Sequence, residues 1–263
     1  MKLSGFLFFA CVLQWQILFS QDVQKDIEKL EVGIVEHLDE FVPSDIQLTN
    51  EDGELVNLKD QIDKPTVLIF VYFRCPGICT PLMDGVADVI QKSDMKLAED
   101  YQVITIGFDP RETIELAVKK KKNYQGLITN KNTEDGWKFF TSDSANIARV
   151  TEALGFRYIR SGQDFTHAAT LIILSPDGKI TRYLNGTYFL PFEFKLALLE
   201  ASDGVSGPTI NKILQYCYSY DPVGKAYVLN VTRISGILIL SLGLIVFLFL
   251  IIRKPRRRHD PKI

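Results

Sequence analysis

The feature that most restricts how this chain can fold is the stretch TVLIFVYF at residues 66–73, followed at once by Arg74-Cys-Pro-Gly-Ile-Cys79. A run of β-branched and aromatic residues with no polar alternation fits a strand buried on both faces of a central sheet. Pro76 and Gly77 then break it. Thr80 offers an N-cap with Pro81 at the first helical position, and Leu82, Val86, Val89 and Ile90 carry helical spacing behind them. Two cysteines therefore fall where a buried strand gives way to a helix. Backbone N–H groups and the helix dipole at such a point favour a thiolate, the form that binds metal or attacks a disulfide. The two sulfurs can converge on one ion, or bridge each other if their Cα atoms lie within about 7 Å. A disulfide closing so short a loop gains little loop-closure entropy, so stability alone is a poor reason for the pair.

The rest of the chain supplies partners for that strand. Residues 45–60 alternate apolar and polar around Glu51-Asp52-Gly53, which predicts a β-hairpin. Strands are predicted at 101–108 and 137–140, and helices at 113–124 and 144–154, the second stopped by Gly155. Residues 170–174 and 180–183 flank the turn Ser175-Pro-Asp-Gly178, and a last helix spans 191–200. This order predicts an α/β fold with a mixed central sheet flanked by helices and an added N-terminal hairpin. The lysines at 119–122 read as a solvated helix face.

Both ends explain a mean hydropathy of +0.06, which is high for a soluble chain. Residues 1–20 begin Met-Lys, continue with an apolar stretch and end on a small residue, as a secretory signal peptide does. Residues 234–252 contain only apolar residues, Ser and Gly. As a helix they would span roughly 28 Å, against a bilayer core of about 30 Å. Arg253, Lys254, Arg256, Arg257 and Arg258 follow, and a basic cluster abutting a span stays on the cytoplasmic side. The expected order is a signal peptide (1–20), an extracytoplasmic domain (21–225), a juxtamembrane linker (226–233), one transmembrane helix (234–252) and a basic cytoplasmic tail (253–263). Such a chain is single-pass in the cell (inner) membrane, with its domain facing the periplasm or cell exterior. Cys11 would leave with the signal peptide, and Cys75, Cys79 and Cys217 would remain in an oxidising compartment. Cys217 reads as a small buried apolar side chain, and the tyrosines around it as an interfacial belt or a strap. A net charge of −2 gives no field for nucleic acid.

His167, in Asp164-Phe-Thr-His167, precedes the predicted strand at 170–174. On residue type alone it reads equally as a ligand or as a satisfied loop histidine. Taken together, TVLIFVYFRCPGIC, IGFDPRET and DFTHAATLIILSPDG resemble the Sco/SenC family in motif and in order, over residues 32–202. That family consists of thioredoxin-like copper proteins involved in maturing cytochrome c oxidase. The resemblance implies copper ligands at Cys75, Cys79 and His167, with Asp109 at an acidic position near the site but outside the ligand set. The segment Asp109-Pro-Arg-Glu-Thr113 is one residue shorter than in the mitochondrial branch, and Glu112 stands where Asp is common. Thioredoxin-like folds usually carry a cis-proline before this last strand, whereas Thr166, His167 and Ala168 occupy the approach here.

Thiolates suit Cu(I), and an added imidazole admits Cu(II); the same donors would also accept zinc. The resemblance implies a copper metallochaperone for the dinuclear copper site of oxidase subunit II, working beside other copper carriers or thiol reductants. An enzymatic alternative uses Cys75 and Cys79 alone as a redox-active pair, in a thiol–disulfide oxidoreductase that keeps the acceptor's cysteines reduced. His167 separates the two readings, because only the carrier needs it.

Overall fold

Strand burial follows the hydropathy pattern closely. In the computed structural model, which describes residues 32–207, 218–221, 226–229, 243 and 248, every residue of the strand Thr66–Val71 is buried. In chain order the elements are β1 (Gly33–Ile34), β2 (Gln47–Thr49), β3 (Leu55–Asn57), β4 (Thr66–Val71), α1 (Cys79–Lys92), β5 (Gln102–Gly107), α2 (Ile114–Gln125), α3 (Thr133–Gly136) and β6 (Trp137–Phe140). They continue as α4 (Ser144–Ala153), β7 (Phe156–Ser161), β8 (Asp164–His167), β9 (Thr170–Leu174), β10 (Ile180–Asn185) and α5 (Pro191–Ser202).

The central sheet has the order β10-β9-β4-β5-β6. β4, β5 and β6 run parallel, β9 is antiparallel to β4, and β10 is antiparallel to β9 and so runs in the direction of β4. This is the expected mixed sheet, with β4 at its centre. β5 and β9 are also buried throughout, so helices must cover both faces. α1 lies close enough to the β10–α5 connection that a Cβ on Gly85 would collide with the Thr187 backbone. α4 ends at Gly155, whose φ of +62° is the left-handed conformation that glycine adopts without strain. The expected N-terminal hairpin is present as β2–β3, and its Thr49 bridges to Thr141 just beyond β6.

Three sequence expectations need correction. α1 begins at Cys79, before Thr80, and its N-cap is Ile78, with no side-chain cap. Pro81 still fits, because a first-turn N–H has no intrahelical acceptor to lose. A β7–β8 hairpin, unseen in the sequence, pairs antiparallel and joins β1 in a second small sheet. Lys121 is only 4% exposed, so the lysine run is no uniform solvated face. Its Nζ donates to Glu51 Oε2 at 2.7 Å and to the Glu134 carbonyl at 3.2 Å, and Glu51 Oε1 accepts from the Phe139 N–H at 2.9 Å. The hairpin loop is thereby fastened to α2 and to edge strand β6.

The chain divides into Met1–Pro208 and Thr209–Ile263. In the second unit, β11 (Tyr218–Asp221) pairs antiparallel with β12 (Ala226–Leu229). Tyr218 and Tyr220 of the tyrosine-rich stretch are thus strand residues. The signal peptide, Cys217 and almost all of the predicted span lie outside the described residues. No helix among the described residues is long and apolar enough to cross a membrane.

Candidate metal centre

The segment after β4 folds back on itself, with the Cys75 N–H donating to the Tyr72 carbonyl at 3.1 Å. This turns the Cys75 sulfur toward the start of α1. The N–H groups of Gly77 and Cys79 donate to Cys75 Sγ at 3.3 and 3.4 Å. With no side-chain cap on the helix, the sulfur takes the place that an N-cap oxygen would hold. Cys79, the first residue of α1, is buried, whereas Cys75 is half-exposed. Both are free thiols. Thr80 is therefore the second residue of the helix and not its cap.

His167 arrives on the last residue of β8 rather than on a loop, opposite Tyr158 of β7. Its ring Nδ1 lies 2.8 Å from the Ala168 carbonyl oxygen. A carbonyl only accepts, so Nδ1 carries the proton and the Nε2 lone pair is left free. Nε2 lies 3.2 Å from Cys79 Sγ. Tyr72 and Phe108 meet the ring edge-on, at centroid distances of 5.8 and 5.2 Å, and hold it in place. No peptide bond among the described residues is cis. Cys75, Cys79 and His167 form a group in which one ligand atom from each lies within 4.8 Å of the others. Two sulfurs and an imidazole nitrogen with its tautomer already set are a donor set that fits a soft or borderline metal.

A protein-family model described as SCO1/SenC matches residues 37–191, more than half of the chain. The chain belongs to the SCO1/SenC family. A curated relative, the SCO1 protein homolog of Bacillus subtilis (strain 168), is 26% identical over 149 residues, covering 55% of this chain and 74% of the relative. A crystal structure of an Aquifex aeolicus VF5 protein has 32% identity and a TM-score of 0.57, covering 63% of this chain and 95% of that one. A SCO1/SenC family lipoprotein from Bacillus anthracis str. Ames superposes with a TM-score of 0.51 at 19% identity, over 64% of this chain and 98% of that one, a likeness of fold.

In this SCO1/SenC protein the two cysteines differ in acidity. Burial works to raise the Cys75 thiol, but the Cys79 N–H, the Tyr72 hydroxyl, the Cys79 thiol and the Gly77 N–H outweigh it, so Cys75 ionises below the ordinary thiol value. Burial pushes Cys79 well up, and the neighbouring Cys75 charge adds to that. Burial also lowers His167, against the pull of the Ala168 carbonyl, which keeps the imidazole neutral. Of the two thiols Cys75 is therefore the one that ionises first, beside a buried Cys79 that holds its proton and an imidazole that resists protonation. Tyr72 is a member that sequence reasoning missed. Its signal was a hydroxyl placed in an otherwise apolar buried run, where it needs a partner.

The loop after β5 borders the site without joining the ligand group. Asp109 is 2% exposed and is held by Arg111, through Nε and Nη2 at 2.7 Å each. Glu112, also buried, accepts the N–H groups of Phe73 and Arg74 at 2.7 Å each. Burial raises the Glu112 carboxyl, and those two N–H groups work against it. Glu112 thus fixes the backbone immediately before Cys75, which its sequence position gives no reason to expect.

Proposed function

We propose that this protein binds one copper ion through Cys75 Sγ, Cys79 Sγ and His167 Nε2 and delivers it to cytochrome c oxidase, at the dinuclear copper site of subunit II. The observation that carries this reading is the convergence of the three ligand atoms within 4.8 Å. Two thiolates favour Cu(I), the imidazole extends the site to Cu(II), and copper heads the affinity order of divalent first-row metals. Structural zinc sites use four protein ligands, and this group offers three among the described residues. Loading must displace the Cys79 proton, so uptake releases a proton and weakens as pH falls. The span at 234–252 would hold donor and acceptor at one membrane surface and raise their effective concentration.

One observation supports a second activity at the same residues. A half-exposed, acidified Cys75 beside a buried Cys79 is the arrangement of an attacking and a resolving thiol. The Cys75 thiolate would attack a disulfide of the acceptor, forming a mixed disulfide and releasing one acceptor thiolate. Cys79, on losing its proton, would attack Cys75 Sγ, release the second acceptor thiolate and leave Cys75 and Cys79 bridged. A thiol reductant would then restore the dithiol.

Metal analysis after anaerobic loading tests the carrier reading. The wild type should hold about one copper per chain, and Cys75→Ser should lose it. Unchanged copper in Cys75→Ser would refute the assignment. Oxidase assembly restored in full by His167→Ala would favour the reductase.

A further inference from the structure

The guanidinium of Arg111 faces two ways. On one side it grips buried Asp109 with two 2.7 Å hydrogen bonds, a bidentate pair of the strong, directional kind. On the other, Nη2 donates to the Gln163 carbonyl at 3.0 Å and Nη1 to Gln163 Oε1 at 3.3 Å. Gln163 and Gly162 form the tight turn of the β7–β8 hairpin, where Ser161 pairs with Asp164 and Gly162 has a φ of +66°. The same guanidinium lies over the Phe165 ring, 5.5 Å from its centroid. Phe165 and His167 are alternate residues of β8, and both pack on Tyr72 and Phe108.

The hairpin needs such a tie. Among the described residues β8 pairs only with β7, and its sheet ends there. Beyond Ser161↔Asp164 no ladder holds the turn. The adjacent residue, Glu112, holds the backbone before Cys75. One short segment after β5 therefore reaches both arms of the site.

We propose that Arg111 is a positioning residue: by tying the β7–β8 turn to Asp109 and covering Phe165, it sets where β8 presents His167 to the two cysteines. This rests on the copper reading above for its consequence, but not for the tie itself. Among the described residues Arg111 forms no hydrogen bond with any of the three ligand side chains, and it is partly exposed, at 37%, so it acts on them through Asp109, Gln163 and Phe165.

The test uses the full-length chain in detergent, as Arg111→Met and Arg111→Lys. Hydrogen exchange of the metal-free proteins is read over peptides spanning residues 156–167 and 66–92. Arg111→Met should speed exchange about tenfold or more in the first and leave the second unchanged, and Arg111→Lys should recover part of the protection. Copper affinity should fall about 10- to 100-fold in Arg111→Met, the usual range for a group that orients a ligand. Nitrogen coupling in the Cu(II) EPR spectrum should weaken while the thiolate charge-transfer band persists. Wild-type exchange in the hairpin of Arg111→Met, or wild-type nitrogen coupling and affinity, would overturn the proposal. Failure of the wild type itself to take up copper would refute the copper reading instead, and the exchange comparison would still decide Arg111.

Discussion

A thiol takes its acidity from the dipoles around it, and Cys75 and Cys79 meet different ones although a short loop separates them. Cys75 receives two backbone N–H groups at a helix start, while Cys79 is sealed behind it. Alkylation with iodoacetamide should therefore modify Cys75 first, with a half-point below that of an ordinary thiol, and spare Cys79 until the fold loosens. Equal rates and a common half-point would contradict the assigned asymmetry. His167 has its own pH signature. Its folded pKa lies below the unfolded value of 6.5, so the unfolded chain binds protons more readily in that interval. The contribution is fully present above about 6.5 and is lost as pH falls through the folded value. Comparing urea midpoints of wild type and His167→Gln from pH 7.5 to 5 should show the wild type losing stability more steeply. Parallel curves would sink the idea.

At the scale of elements, what was legible followed from periodicity and turn chemistry. β4, β5, β6, β9, the Gly178 turn and helices α1, α2, α4 and α5 all carry local signals that survive packing. What escaped depends on contacts between segments distant in sequence. β7 and β8 are half-exposed, short and joined by a turn without Asn-Gly, so their pairing had no strong local mark. Cys75 and Cys79 were readable as a pair from the strand-to-helix position, whereas His167 needed the family resemblance. Lys121 looked like its neighbours because only the fold brings Glu51 and Glu134 to it. Lys121→Met should destabilise the domain by about 2 kcal/mol, less than the roughly 3–5 kcal/mol of a fully buried pair, because Glu51 keeps some contact with water. A chemical denaturation midpoint equal to wild type would contradict this. Gly85→Ala should cost about 1–3 kcal/mol, since its Cβ would meet the Thr187 backbone rather than a side chain able to turn away. An unchanged melting temperature would show that the α1 contact yields.

At the scale of the whole molecule, a domain of the SCO1/SenC family and an apolar segment with a basic tail combine into a proposed tethered carrier. Alkaline phosphatase fused after residue 263 should be inactive, and fused after residue 207 active, if the tail is cytoplasmic and the domain outside. The reverse pattern would invert the topology. Copper bound by all three residues is the claim on which the rest depends. It is tested most directly by one titration, with absorption and EPR spectra recorded as Cu(II) is added to the reduced wild type and to His167→Ala. The wild type should saturate near one equivalent, with thiolate-to-copper charge-transfer bands and coupling to a single nitrogen, and His167→Ala should lose that coupling and the stoichiometric end point. Identical spectra and end points for the two proteins would contradict it.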